Sequence, residues 1–348
     1  MSFAAFAARM LHDPMLLTAA LLTLGVILVN GWTDAPNAIA ACVATRALGV
    51  RAAILMAAVC NLLGAAVVTR WNAAVAMTIC HIVDFGDDAR AAMAALCAAM
   101  AAIVLWAVAA WAFGIPTSES HALIAGLTGA AVALRGGFGG VSTAEWGKVA
   151  WGLLLSTLPS FALGWLMAQI VTAAARGFDR RRADRVFAGA QIAGGAASAF
   201  MHGAQDGQKF MAIFLLLAAL ADGHTAVSAA RVPGWLLLLC SGVMALGTAM
   251  GGRRIIKSVG MDMVRLRPYQ GFAADAAAAL CLLAASLGGI PVSTTHVKTT
   301  AILGVGAARR WRGVNWGVAG ELVLTWVCTF PGCGALGYAA AKLFTAVF

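Results

Sequence analysis

Gly114-Ile115-Pro116-Thr117-Ser118-Glu119-Ser120-His121 returns 175 positions later as Gly289-Ile290-Pro291-Val292-Ser293-Thr294-Thr295-His296. Each copy interrupts a long apolar run, at 91–134 and at 270–308, with helix-breaking Gly and Pro followed by hydroxyls. Irregular polar backbone persists at bilayer depth only where protein or a cavity surrounds it, so each run reads as a re-entrant hairpin whose tip lies inside the protein. A second duplicated phrase precedes each hairpin: Asn30-Gly31-Trp32-Thr33-Asp34-Ala35-Pro36-Asn37 and His202-Gly203-Ala204-Gln205-Asp206-Gly207-Gln208-Lys209. Asp34 and Asp206 lie 172 positions apart, so the chain reads as a duplication. Packing alone explains the broken helices but not two carboxylates at equivalent depth, which mark a functional site.

Composition agrees. Of 348 residues 62% are hydrophobic and 11% charged, with a mean hydropathy of +0.88. A soluble globule carries about 25% charged residues, so the chain is an all-α polytopic membrane protein. The net charge of +10 sits in short arginine clusters between apolar spans, which speaks for topology and against nucleic acid. Eight scattered cysteines offer no zinc-ligand spacing, and neither a metal nor a cofactor is expected. The apolar stretch 16–29 runs into the Asp34 phrase and not into a cleavage site, so it reads as a first span. Gly136 to Gly140 reads as a flexible connector.

Further apolar segments at 15–45, 50–70, 148–175, 187–220, 234–251 and 317–347 can each cross. Each half then has three crossings, one of them a broken helix, plus a hairpin that adds none. Three is odd, so the second half enters the membrane upside down. The expected organisation is a first inverted repeat over 1–176, a basic cytoplasmic linker over 177–186 and a second repeat over 187–348. With both termini outside, 15 of the 24 Lys and Arg fall in inner loops, while Asp84, Asp87 and Asp88 fall outside. Inverted repeats whose broken helices meet at mid-membrane are the architecture of secondary transporters.

Thr117, Ser118 and Ser120, and Ser293, Thr294 and Thr295, stand where helices begin, so their hydroxyls can cap the helices and their amides can face an anion. The phrases around Gly31–Pro36 and Gly203–Gly207 are expected to be helix breaks as well, making four helix starts around one tetrahedral oxyanion. Asp34 and Asp206 have the wrong sign for an anion unless it carries a proton that a carboxylate can accept. Hydrogen phosphate does near neutral pH and sulfate does not. The two carboxylates could instead hold a cation, with Asn37 and hydroxyls adding oxygen ligands.

These four motifs, in this order over nearly the whole chain, resemble the PiT inorganic phosphate transporters, whose repeats each carry a Gly-x-(Asn/His)-Asp-x-x-Asn-like and a Pro-x-Ser-(Thr/Ser)-(Thr/Ser)-His-like phrase. The resemblance implies secondary transport of inorganic phosphate, sometimes as a metal-phosphate, driven by protons or sodium, together with a homodimer and a cytoplasmic accessory protein. Asp34, Asn37 and Asp206 match substrate or ion positions, and Ser118, Ser120, Ser293, Thr294 and Thr295 match tip hydroxyls; Gln205 and Thr117, beside them, are expected to join in binding the substrate. Thr33 and Gln205 stand where the family often has Asn or His, and Lys209 stands at the place equivalent to Asn37. An ammonium there either replaces a bound cation, which points to protons and away from sodium, or neutralises Asp206. Glu119 replaces a tip hydroxyl, either as proton carrier or as helix cap. His121 and His296 are expected to stiffen the tips through hydrogen bonds to freed carbonyls, and Lys298 to draw anions in or to pair with Asp275 or Glu321.

The expectation is a multi-pass phosphate:proton symporter of the cell (inner) membrane, not an enzyme, with lipid as its surroundings. Sulfate transport, sodium coupling and a passive channel are the alternatives. An intramembrane aspartyl protease would use the two aspartates but has no need of duplicated hydroxyl tips.

Overall fold

The computed structural model describes residues 2–113, 117–227, 232–250, 256, 257, 259, 260 and 263–347. Gly114, Ile115 and Pro116, and Arg253 and Arg254, lie outside the described residues. Thirteen α-helices are named among them: α1 (Phe3–His12), α2 (Pro14–Thr33), α3 (Pro36–Ala44), α4 (Val50–Trp71), α5 (Ala74–Cys80), α6 (Ala89–Phe113), α7 (Glu119–Arg135), α8 (Thr143–Ala174), α9 (Arg180–Ala221), α10 (Gly234–Met250), α11 (Pro268–Leu287), α12 (Thr294–Arg309) and α13 (Trp316–Val347). Six helical stretches are long and apolar enough to cross a membrane, and the chain is a multi-pass membrane protein. Leu55, Leu63, Leu158 and Leu324 are among the large side chains left exposed on α4, α8 and α13, where lipid covers them.

Starts and stops follow local chemistry. Asp13 caps α2 with Pro14 in its first turn, Ser142 caps α8 and Asp179 caps α9. Gly136, at φ 69°, closes α7 in the left-handed region. Pro159 and Pro331 lie inside α8 and α13.

Packing is reciprocal between the halves. α7 lies on α13 while α12 lies on α8; α6 touches α2 and α13 while α11 touches α9 and α8; α4 packs on α9 while α10 packs on α2. The close approaches repeat too. A Cβ on Gly31 would sit 2.4 Å from the Met244 carbonyl oxygen, and one on Gly203 2.1 Å from that of Asn61.

A short β-bridge joins the two ends of each of the helix pairs α6–α7 and α11–α12. Val83, before α6, bridges Val141, after α7; Val264, before α11, bridges Val314, after α12.

Three elements depart from the sequence reading. α9 runs 42 residues without a break, so the expected interruption at Gly203–Gly207 is absent. Its glycines serve contact: a Cβ on Gly207 would meet that of Ala65 at 2.5 Å. With no proline in the phrase, nothing removes a backbone donor there. The equivalent stretch of the first half does break, between Thr33 and Pro36, though Asn37 N–H still reaches the Asp34 carbonyl at 3.0 Å. The stretch 177–186 is mostly the first turns of α9, and the short helices α1 and α5 were not foreseen.

Candidate functional site

α7 and α12 begin the same way. Ser118 Oγ accepts the His121 N–H at 3.3 Å and Ser293 Oγ accepts that of His296 at 3.2 Å. The first amides of each helix then have no partner within it, and both positive helix ends face the buried interior. Into this space α2 and α3 bring Asp34 and Asn37, and α9 brings Asp206 and Lys209, all at most 1% exposed.

Asp34 is held by neutral groups. Asn37 Nδ2 donates to its Oδ1 at 2.8 Å and to Thr295 Oγ1 at 3.0 Å, and the Thr295 hydroxyl donates to Asp34 Oδ1. Thr295 Oγ1 also lies 3.4 Å from the Thr117 carbonyl. Thr294 Oγ1 lies 3.2 Å from Asp34 Oδ2 and 3.3 Å from Asp206 Oδ2, donating to one carboxylate at a time.

Asp206 has a counter-charge. Lys209 Nζ reaches its Oδ1 at 2.8 Å, Ser120 Oγ at 2.5 Å and the Val292 carbonyl at 2.6 Å, so the ammonium joins α9 to both hairpin tips. Asn30 Nδ2 and His202 Nε2 each stand 3.2 Å from Asp206 Oδ2. Lys209 thus pairs with Asp206 and has three oxygen neighbours.

Glu119 lies in the same shell, its Oε1 accepting the Thr33 hydroxyl at 3.1 Å while its buried Oε2 has no hydrogen-bond partner. Gln205 is diverted, donating to Ser286 Oγ at 3.0 Å beside α12's entry and away from the carboxylates. His121 and His296 support the tips by ring packing and not by the expected carbonyl bonds. Their centroids are 4.5 Å apart, His296 lies 3.7 Å from Trp326 and His121 4.6 Å from Phe330. Both nitrogens of His296 and Nδ1 of His121 have no hydrogen-bond partner. Aromatic side chains of α13, Phe330 and Trp326, pack against the imidazoles instead. Lys298 pairs with Asp275 and donates to the Ala38 carbonyl at 3.1 Å.

Three contributors stand in the duplicated phrases without being expected at the site itself: Asn30, Thr33 and His202, the last expected only to bond a freed carbonyl. Thr33 and Asn30 flank Asp34 by one residue and by one turn, and His202 precedes Asp206 by one turn of α9. The helical spacing of four was the available signal. Asp34, His202 and Asp206 each offer a ligand atom within 4.8 Å of the others, a set suited to a cation. The whole arrangement can bind a protonated oxyanion: helix starts and hydroxyls for its oxygens, carboxylates for its proton.

Comparison with known proteins agrees with this chemistry. Residues 30–337 match the phosphate transporter family. The chain is 39% identical to a "Probable low-affinity inorganic phosphate transporter" of Bacillus subtilis (strain 168), covering 92% of this chain and 94% of the relative. A protein of the same description from Rhizobium meliloti (strain 1021) is 38% identical over 90% of this chain and 93% of its own length. A solved structure, "The sodium-dependent phosphate transporter", superposes with a TM-score of 0.88 at 22% identity over 97% of this chain and 100% of that one, which is a likeness of fold.

Proposed function

The chain belongs to the phosphate transporter family and is not an enzyme, and from that premise we propose that it imports inorganic phosphate across the cell (inner) membrane as a proton-coupled secondary transporter. The observation that carries the substrate is the meeting of two buried carboxylates with two capped helix starts around Thr294. Helix ends and hydroxyls attract the anion, and Asp34 and Asp206 reject one that has no proton to donate.

Proton coupling rests on Lys209. Its ammonium already takes three oxygen ligands at the place equivalent to Asn37, which leaves less for sodium to do there. Glu119, buried beside Thr33 with one oxygen unpartnered, is the proton carrier. The sodium reading has one observation in its favour, the cation-suited set of Asp34, His202 and Asp206.

The same reading assigns two inverted repeats, 1–176 and 187–348, with both termini outside. Reciprocal packing of the halves and hairpins that add no crossing support it.

Radiolabelled phosphate uptake into proteoliposomes, under separately imposed pH and sodium gradients, tests the coupling. Uptake is expected to follow the pH gradient and ignore sodium; strong stimulation by sodium alone would transfer the coupling to the aspartate–histidine set. In the same vesicles arsenate is expected to compete strongly and sulfate weakly. Equal competition by sulfate would overturn recognition of the substrate's proton.

A further inference from the structure

The duplication supplies a control for a second anion site. Each hairpin is closed at its base by the same corner. In the first half, Val83 bridges Val141, Ser142 N–H donates to the Ile82 carbonyl at 3.1 Å and a short 3-10 turn spans Phe138–Gly140. In the second half, Val264 bridges Val314, Asn315 N–H donates to the Met263 carbonyl at 3.0 Å and a 3-10 turn spans Trp311–Gly313. Asp84 follows Val83 as Arg265 follows Val264, and Arg135 and Arg310 stand 175 positions apart, one ending α7 and the other following α12.

The charges on the two corners differ. In the first, Arg135 pairs with Asp84. The Gly86 N–H, at 2.8 Å, and the Arg135 guanidinium hold that carboxyl below the usual carboxylate range, so the corner is self-neutralised throughout physiological pH. In the second, arginine replaces the acid. Arg265, Arg309 and Arg310, all exposed, line one recess of about 810 Å³ with Gln270 and Asn315, and among the described residues no acidic side chain lines it. None of the three guanidiniums has an ion-pair partner among the described residues. The two described stretches that form the corner, 263–267 and 309–312, hold five arginines and no acid; Asp262, next in sequence, lies outside the described residues.

Like charges gathered at a hairpin base repel one another, and a corner identical in backbone shows that folding does not require them. A smaller cavity continues the recess past Gln270 and Arg309 to Tyr269 and Thr172. Beside it Trp311 and Trp316 stack at 4.5 Å, in the manner of aromatic residues at a membrane boundary. Basic pockets between helices at the cytoplasmic boundary suit phosphate-bearing headgroups.

We propose that the Arg265, Arg309 and Arg310 recess is a second, non-transporting binding site for a phosphoryl oxyanion, supplied by an anionic phospholipid of the adjoining leaflet or by free inorganic phosphate. Arginine pairs bidentately with such groups, and a recess of this size accepts a whole headgroup. Its assignment to the cytoplasmic face rests on the orientation proposed above; its binding chemistry does not.

Native mass spectrometry of the purified full chain, with phosphatidylglycerol or phosphatidylcholine added, tests the site without reading transport or sidedness, so it can fail while the transport reading stands. One phosphatidylglycerol per chain is expected to survive activation that strips phosphatidylcholine. Arg265→Ala and Arg310→Ala are each expected to weaken that retention about fivefold, and Arg135→Ala at the neutral corner to leave it unchanged. In the second arm, lipid-free detergent protein titrated with inorganic phosphate is expected to bind a second equivalent, lost in Arg309→Ala/Arg310→Ala, if free phosphate is the source. Loss of either signal on arginine removal supports the site. Retention equal for both lipids, with no arginine-dependent phosphate binding, overturns it. So does equal loss in Arg135→Ala.

Discussion

Asp34 and Asp206 sit at duplicated positions yet carry unequal burdens. Asp206 is paired with Lys209, whereas Asp34 is held by an amide and hydroxyls alone. Removing one member of a buried ion pair strands the other, at a cost of about 3–5 kcal/mol, whereas an amide in place of Asp34 strands no charge. Asp34→Asn is therefore expected to lose roughly tenfold or more of phosphate uptake with thermal stability in detergent nearly intact, and Asp206→Asn to lose both. Equal melting temperatures for the two variants would contradict the pairing. Glu119→Gln keeps the acceptor for Thr33 and removes the titratable group. Accumulation driven by a pH gradient is expected to fall more than phosphate:phosphate exchange, and equal losses would return Glu119 to a helix cap. Which residues gather at the candidate site was largely legible, because carboxylates and hydroxyl runs are costly in an apolar chain. The bond of Gln205 to Ser286, 81 residues away, was not legible, because the sequence carries no mark of the contact.

At the scale of elements, glycine has two meanings that composition cannot separate. Near Pro36 it accompanies a real break; in α9 it lets α4 approach. The hairpins were legible from Gly-x-Pro, while α9's continuity depends on contacts with α4, α10 and α11 that only the folded chain has. The same logic gives a paired test. A Cβ on Gly129 would stand 2.0 Å from the Gly334 carbonyl oxygen, and one on Gly304 2.0 Å from that of Phe161, whereas Gly242 has open space. Gly129→Ala and Gly304→Ala are each expected to cost about 1–3 kcal/mol, read as a lowered melting temperature, with Gly242→Ala unchanged. Unequal losses at the two equivalent contacts would weaken the case for equivalent halves.

For the whole molecule, orientation was read from arginines alone, and cysteine labelling tests it. In a functional variant without its eight native cysteines, single cysteines near Asp87 and Asp222 are expected to react with an impermeant reagent on intact cells, and those near Arg181, Lys257 and Arg310 only after permeabilisation. Reaction at the arginine loops of intact cells would invert the topology.

The reciprocal packing also sets an order of events during synthesis. α7 carries Glu119 and Ser120 into the site, but the helix that covers it, α13, ends at Val347, 212 residues further on. At 5–20 residues per second the first hairpin waits about 10–40 s in the membrane before its cover emerges from the ribosome. The nascent chain thus holds a polar tip without its final partner for longer than helices take to form. A ribosome-stalled chain ending before Trp316 is expected to leave a cysteine at Ser120 open to thiol reagents that the finished protein excludes. In biogenesis, then, this fold closes from its last helix, and the first substrate-facing hairpin to be made is the last to be sealed.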